Sequence, residues 1–203
     1  MRKWMVGLAA GILLAGLSNA GLTDGAIPDY RSQSVQEEKT GSFFSFRNGI
    51  GWGMQPEEIR EREGVDMIER SQADWSIMYS QQPVEVSRFH ADLVYMFHQN
   101  QLKMITYDFG QEGTGSDFQY LQGALAAVYG EMREADAGEV VQLMDQIYPG
   151  YYSEPLLQQV CGWTAEDGTP IYLYYYADGA FAILYASAEI AQPGAGQYMI
   201  NGL

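Results

Sequence analysis

Residues 91–109 constrain the fold most, because they contain two strand-like runs separated by only two residues. The runs are ADLVYMFH and QLKMITYDF, and Gln99 and Asn100 lie between them. Apolar side chains alternate along the first run with the period of a half-buried strand, at Leu93, Tyr95 and Phe97. The pattern predicts an antiparallel hairpin with a two-residue turn.

The length of that turn sets the register of the hairpin. A two-residue turn predicts three cross-strand pairs on one apolar face: Phe97 with Leu102, Tyr95 with Met104, and Leu93 with Thr106. The other face is also apolar, at Val94, Met96, Ile105, Tyr107 and Phe109. A β-bulge after Leu102 is the alternative, and it shifts the frame. Since both faces are largely covered in either register, we expect this hairpin in the interior of a sheet.

The first twenty residues are organised like a secretory signal peptide. Arg2 and Lys3 precede an apolar run over residues 4–17, and the small residues of SNA end at Ala20, where cleavage is expected. A membrane anchor is the alternative, but a spanning helix needs about 20 apolar residues. No cysteine follows the run to carry a lipid. We expect an exported protein, in the envelope space or secreted, without a membrane anchor after cleavage.

The mature chain is strongly acidic. Residues 1–20 hold two of the 11 basic residues and none of the 26 acidic ones, so 9 basic and 26 acidic residues remain, a formal net charge of −17. Binding to nucleic acid depends on Lys and Arg that neutralise phosphates, and this composition excludes it. Cys161 is the only cysteine, so no intramolecular disulfide can form. Its apolar neighbours favour burial over pairing with another chain.

The chain divides into a central domain and two flanks. Residues 21–42 have few large apolar side chains and are predicted to be a flexible arm. Residues 43–190 are predicted to form one domain, which begins with a short strand at FFSFR before an Asn48-Gly49 turn. Residues 191–203 are predicted to be a tail, and the alternative is that residues 198–200 add a final edge strand.

Three helices are predicted in the domain. The first starts at Pro56 and ends at Gly64. The second has Ser116 as its N-cap and one apolar face, made of Phe118, Leu121, Leu125 and Val128. The third has an Asp136 and Glu139 capping box and an apolar face made of Val140, Leu143, Met144 and Ile147.

Further strands are predicted over residues 74–81, 84–90, 158–164, 170–177 and 180–187. Asp178-Gly179 predicts a two-residue turn that places six aromatic and aliphatic side chains on one face: Tyr172, Tyr174, Tyr176, Phe181, Ile183 and Tyr185. The prediction is an α+β fold, with an antiparallel sheet built from two helix-then-hairpin halves and the helices packed on one face.

The segment GWGMQPEEIREREG resembles a WGM-S-x-E-E-V helix start found in exported bacterial proteins of unknown function. It is more distantly similar to the Gly-Met-Thr helix start of SmpA/OmlA-type and β-lactamase-inhibitor-protein-like modules. Gln55 stands where those families have Ser or Thr. The resemblance covers residues 51–64. It implies helices on one face of an antiparallel sheet, and function by protein binding.

The nucleophiles and acids of the chain form no complete catalytic motif. His90 and His98 lie about 26 Å apart if they share one strand, so they cannot hold one metal. The Gly-rich segment over residues 110–116 has Ser where a phosphate loop has Lys, so a loop and helix cap are predicted instead. Asp92 and Asp108 flank the central hairpin and are candidates for a glycosidase pair, although strand-end solvation explains them equally well.

We therefore predict an exported, non-catalytic binding or interaction module, with no catalytic residue, metal or cofactor. The candidate binding residues are aromatic side chains expected to be left uncovered by the helices: Trp163, Tyr172, Tyr174 and Tyr176. The expected partner is an extracytoplasmic protein or a glycan. The alternative is a carboxylate-dependent hydrolase that acts on an envelope or dietary glycan.

Overall fold

The computed structural model describes residues 46–110, 114–150 and 156–191. Within them the chain folds as an α+β protein with three helices and one antiparallel sheet. The predicted signal peptide, the arm over residues 21–42 and the tail from residue 192 onward lie outside the described residues. Among the residues that the structure describes, no helix has the length and apolar composition needed to cross a bilayer.

The helices and strands follow one another in the order set by their numbers. The helices are α1 (Pro56–Glu63), α2 (Gly115–Tyr129) and α3 (Ala137–Asp145). The strands are β1 (Met67–Gln72), β2 (Trp75–Ser80), β3 (Val84–Val86), β4 (Phe89–His98), β5 (Gln101–Asp108), β6 (Arg133–Glu134), β7 (Leu157–Thr164), β8 (Pro170–Tyr176) and β9 (Phe181–Ala186).

The sheet has the order β1-β2-β4-β5-β9-β8-β7-β6, and β3 pairs with the start of β4. All of its pairs are antiparallel. The β4–β5 hairpin lies inside the sheet, with β2 on one side and β9 on the other, as its two apolar faces predicted. The β5–β9 ladder joins the first half of the chain to the second.

The central hairpin contains the bulge that the sequence left as an alternative. Phe97 pairs with Leu102, but Met96 then pairs with Met104, so Lys103 is the extra residue. The predicted pairs of Tyr95 with Met104 and Leu93 with Thr106 are therefore wrong; Tyr95 faces Ile105, and Leu93 faces Tyr107. With the bulge, β5 presents apolar side chains to both faces of the sheet. Without it, polar and apolar side chains would share a face.

The helices pack on both faces of the sheet, so their predicted placement on one face is wrong. Ile59 of α1 and Leu121 of α2 lie in one core with Tyr95 and Leu173. α3 packs on the opposite face, where its apolar side chains meet Tyr172, Tyr174, Ala182 and Leu184. A sheet that is apolar on both faces needs another layer packed on each of them. The apolar periodicity of a helix indicates which side of the helix is buried, but not which face of the sheet that side contacts.

The β8–β9 hairpin has a different register from the predicted one. Its loop contains three residues, Ala177 to Gly179, because the Tyr176 amide bonds to the Ala180 carbonyl at 2.7 Å. Tyr174 therefore faces Ala182 rather than Ile183. Since a shift of one residue exchanges the faces of a strand, the three tyrosines lie on the α3 face and Phe181, Ile183 and Tyr185 lie on the other.

Several element boundaries also differ from the predictions. β1 was not predicted, residues 84–90 divide into β3 and the start of β4, and Phe46 and Arg47 are not in a strand. The N-cap of α2 is Thr114 rather than Ser116. Val128 is 47% exposed, because the core-facing side of α2 continues from Leu125 to Tyr129 instead. α1 and the Asp136 cap of α3 are as predicted.

Candidate functional site

The four predicted aromatic binding residues offer little contact surface. Trp163 is 1% exposed, Tyr172 3% and Tyr174 1%, and Tyr176 is half-buried. Trp163 packs in the core beneath α2, and the tyrosines pack in the core beneath α3. The expectation that the helices leave these residues uncovered is not met at Trp163, Tyr172 and Tyr174, so other surfaces are better candidates for binding.

An open groove of about 590 Å³ lies beside α3. One wall is the segment that leads from β6 into α3, and it contributes Glu134, Ala135, Asp136, Ala137 and Glu139. The other wall is the first half of β7, which contributes Leu157, Gln158, Gln159 and Val160. We call this the β7 groove. It brings together two stretches that are about twenty residues apart in the chain.

The backbone of β7 forms an open strand edge along this groove. On one side β7 pairs with β8 from Leu157 to Thr164, with a bulge at Gln158. On the other side β6 pairs only with Cys161 and Gly162. Within the described part of the chain, residues 157–160 have no neighbouring strand on the groove side. Their outward amide and carbonyl groups are therefore available for pairing with an extended ligand.

A polar cluster positions the α3 wall of the groove. Arg133 of β6 donates to both carboxylate oxygens of Glu139, at 3.0 and 2.7 Å, and the Tyr172 hydroxyl donates to the same carboxylate at 2.9 Å. These hydrogen bonds, that from Arg133 first, lower the pKa of Glu139 to about 2. Burial and the Glu139 charge raise the pKa of Tyr172 to about 12. The cluster ties β6 and β8 to the first turn of α3.

Gly162 makes room for this cluster on β7. A Cβ at that position would lie 2.9 Å from the Ala135 Cβ and 3.0 Å from the Arg133 Cζ. Both distances are shorter than a normal contact between carbon atoms. The glycine therefore allows Arg133 to cross over the strand and reach Glu139.

The charge of the groove is negative. Glu134 and Asp136 are exposed, and Arg133 is paired with Glu139 and so does not neutralise them. The Asp136 side chain accepts a hydrogen bond from the Gly138 amide at 3.0 Å. The N-terminus of α3 is therefore already capped by a carboxylate of the protein. The groove therefore favours cationic groups over anionic ones.

The two acids selected from the sequence as a candidate catalytic pair lie next to each other, but outside the β7 groove. Asp92 and Asp108 are directly opposite each other on β4 and β5. Burial raises the pKa of Asp108. The hydrogen bond from the Gly110 amide lowers this pKa, and the charges of Asp92 and Asp178 raise it further. Burial also raises the pKa of Asp92. Neither aspartate lines the β7 groove.

The remaining chemical groups are dispersed. Cys161 is buried, as predicted, and burial raises the pKa of its thiol, which disfavours the reactive thiolate. His90 is exposed, whereas the His98 ring lies 5.0 Å from the Trp75 ring. Over residues 46–110, 114–150 and 156–191, no three His, Cys, Asp or Glu side chains come together as a metal site.

A second, smaller groove of about 320 Å³ lies at the turn ends of two hairpins. Its walls are made by residues of the β1–β2 and β4–β5 turns, which are Ser71, Ala73, Asp74, Trp75, Ser76, Gln99 and Asn100. Sequence reasoning missed both grooves, because each is formed by segments that meet only in the folded sheet. The one local signal was the Asp136 capping box, which marks the start of α3 but not its neighbour β7.

Neither the family models, nor the curated proteins, nor the solved structures with which the chain was compared contain a match.

Proposed function

We propose that this protein is an exported, non-catalytic binding module that holds an extended polypeptide segment in the β7 groove. The observation that carries the proposal is the open edge of β7 over residues 157–160, which forms one wall of this groove. Export rests on the predicted signal peptide. A polypeptide fits this edge better than a glycan does, because only a polypeptide supplies a repeating row of backbone donors and acceptors.

The proposed mode of binding is strand addition. Residues 157–160 span roughly 13 Å at about 3.3 Å per residue, and the bulge at Gln158 leaves room for a short ladder with about two or three ligand residues. Alternate ligand side chains would point to the two faces of the sheet, and those on the α3 side would meet the groove wall at Ala135 and Ala137. The backbone ladder supplies affinity without sequence preference, so selectivity comes from the charge of the groove walls.

The exposed carboxylates of Glu134 and Asp136 favour a ligand that carries Lys or Arg. The other two exposed residues of the groove, Gln158 and Gln159, are neutral, so the charge that a ligand meets there is negative. Exposed charges act chiefly on the rate of encounter and on selectivity, and salt screens them. Binding of a basic peptide is therefore expected to weaken as the salt concentration rises.

An NMR titration tests the proposal. The probes are a ten-residue peptide of alternating Lys and Val, and the same peptide with Glu in place of Lys. We expect the Lys peptide to shift amides of residues 134–139 and 157–160, and the Glu peptide to bind at least about tenfold more weakly. Shifts confined to other parts of the sheet, or equal binding of both peptides, would contradict the proposal.

A charge-reversal pair supplies the control. Glu134→Lys reverses one charge of the α3 wall and so neutralises its two exposed carboxylates, and it should weaken binding of the Lys peptide by about threefold or more. Glu61→Lys makes the same change at an exposed position of α1, on the other face of the sheet, and should leave affinity within about twofold. A neutral N-acetylglucosamine tetramer is titrated in parallel. Groove shifts with this sugar, and none with either peptide, would favour a glycan ligand.

The Asp92–Asp108 pair favours a second candidate, a carboxylate-dependent glycan hydrolase. Glycosidases use two carboxyl groups that flank the substrate, and one of them has a raised pKa. Both aspartates have a raised pKa, and they are cross-strand neighbours. Release of reducing sugar from peptidoglycan or a plant polysaccharide, lost in Asp108→Asn, would support this candidate. A preparation that is inactive on both substrates would leave the binding module as the better account.

A further inference from the structure

The two ends of the sheet are built differently. At one end, β6 has only two residues. At the other end, β1 has six residues and pairs with β2 on one side, and no described strand pairs with its outer side. Natural sheets protect their edges with short strands, prolines, bulges or charged side chains; β1 has none of the first three, and its charged residues are Glu69 and Arg70. This end is far from the β7 groove.

We propose that β1 pairs with β1 of a second copy of this chain, around a twofold axis perpendicular to the sheet. Such an axis makes the two strands antiparallel. Each face of the sheet in one copy then continues into the same face of the sheet in the second copy. A residue therefore meets one whose number is of the same parity. The register centred on Ile68 places Ile68 opposite its own copy, and places Asp66 opposite Arg70 of the second copy.

This register is favoured by charge. It forms two symmetric Asp66–Arg70 ion pairs, since each copy supplies both residues. A register centred on residue 69 or 70 instead sets Glu69 against Glu69, or Arg70 against Arg70. Opposite charges on directly paired residues stabilise a sheet, and like charges destabilise it. β1 is thus complementary to itself in the register centred on Ile68, and like charges oppose the registers centred on residues 69 and 70.

The two charged residues are already held in strand geometry. The Asp66 carbonyl accepts the Gln81 amide at 3.2 Å, which continues the β1–β2 ladder by one residue. Arg70 is exposed and donates through Nε to the Tyr79 hydroxyl at 3.2 Å. The ordering of these groups before contact reduces the entropy lost on pairing. Val65, which is 51% exposed, immediately precedes this strip and would lose solvent contact in the dimer.

The contact is small, because one strand edge buries far less than a standard interface of about 1,600 Å². The dimer is therefore expected to be weak and to depend on concentration. Analytical ultracentrifugation of the protein expressed from the full sequence, at concentrations between roughly 10 and 500 µM, should show a dimer fraction that rises across this range.

Charge reversal tests the register. Asp66→Arg or Arg70→Asp alone should reduce the association constant by about fivefold or more, and the double variant should restore it. Asp74→Arg makes the same charge change in the β1–β2 turn, outside the paired residues, and should leave association unchanged. A parent protein that stays monomeric, single reversals that leave the dimer intact, or a double variant that fails to restore it would each overturn the proposal.

Disulfide trapping gives a second measurement, which does not depend on the ion pairs. Ile68→Cys places two thiols directly across the axis, where paired Cβ atoms are about 4.5 to 5.5 Å apart. Mild oxidation should convert this variant to a covalent dimer. Ser71→Cys is the control, because its two copies are six residues out of register and should cross-link much more slowly. Equal cross-linking of the two variants would overturn the proposed register.

Discussion

The Tyr95 hydroxyl donates a hydrogen bond to the carboxylate of Glu63, whose side chain is only 1% exposed. Arg47 forms an ion pair with the same carboxylate oxygen at 3.2 Å. Burial and the Glu63 charge raise the pKa of Tyr95 well above its ordinary value, so the hydroxyl remains protonated and remains a donor. The contact joins the end of α1 to β4 in the interior of the sheet.

Tyr95→Phe should lower the free energy of unfolding by roughly 1–3 kcal/mol, because it removes a donor from a buried carboxylate. Urea unfolding followed by circular dichroism measures the change. Tyr79→Phe is the matched control: its hydroxyl accepts from Arg70 at an exposed site, so its loss should cost less than about 0.5 kcal/mol. Equal losses in the two variants would mean that the Tyr95–Glu63 bond does not stabilise the fold.

Two glycine substitutions should have opposite effects. Gly162→Ala adds a Cβ that lies within 3.0 Å of Ala135 and Arg133, and the displacement of β6 should cost roughly 1–3 kcal/mol. Gly123 lies inside α2, and a Cβ there meets nothing within 4 Å. Gly123→Ala should therefore stabilise the protein by roughly 0.5–1 kcal/mol. Urea midpoints compare them, and a neutral Gly162→Ala would contradict the described packing of β6 on β7.

The Glu139–Arg133 pair predicts a pH-dependent contribution to stability. Because the pKa of Glu139 is lowered from 4.5 to about 2, the folded state binds this proton less tightly than the unfolded state does. The stabilisation is therefore complete above about pH 4.5 and is lost as the pH falls toward 2. Since the side chain is 36% exposed, solvent screening reduces the effect to roughly 1–2 kcal/mol.

Unfolding of Glu139→Gln at several pH values measures this contribution. The variant should be less stable than the parent at pH 7, and the difference should shrink steadily between pH 4 and pH 2. Glu131→Gln, at an exposed position before β6, should change the stability at pH 7 by less than about 0.5 kcal/mol. A Glu139→Gln difference that is constant from pH 7 to pH 2 would rule out a lowered pKa as its cause.

Asp108→Asn should stabilise the protein at neutral pH. Because burial raises the pKa of Asp108, the folded state binds this proton more tightly than the unfolded state, and the ionised form costs stability. An asparagine keeps the acceptor for the Gly110 amide at 2.9 Å and removes the charge opposite Asp92. The gain at pH 7 should be roughly 0.5–2 kcal/mol, and it should disappear as the pH falls through the raised pKa toward 3.8.

The same substitution at Asp117 should have the opposite sign. Hydrogen bonds from Thr114, and then from Arg88, lower the pKa of Asp117, so its ionised form contributes stability that is present above pH 3.8. Asp117→Asn should therefore destabilise the protein at pH 7. Thermal melts of both variants at pH 7 and pH 3 give the comparison. If Asp108→Asn is the less stable of the two at pH 7, the carboxylate of Asp108 has a structural role that its environment does not reveal.

The amino-acid sequence determined the local structure because the signals for it are local. Pro56 and Gly64 bound α1, Asp136 with Glu139 begins α3, and alternating apolar residues mark β4 and β5. Each of these features depends on the backbone of a few neighbouring residues: a fixed φ, a capped amide or a two-residue period. Such features are present in the chain before it folds, and they predicted the α+β class.

Only the tertiary structure decided which surfaces meet. α3 covers the face opposite α2, and the three-residue loop after Tyr176 puts Tyr172 and Tyr174 under α3, so aromatic side chains expected to bind a ligand form a core instead. The β7 groove depends on contact between residues 134–139 and residues 157–160. No local preference specifies these contacts, because they depend on the register of distant strands and on the burial of both faces of one sheet.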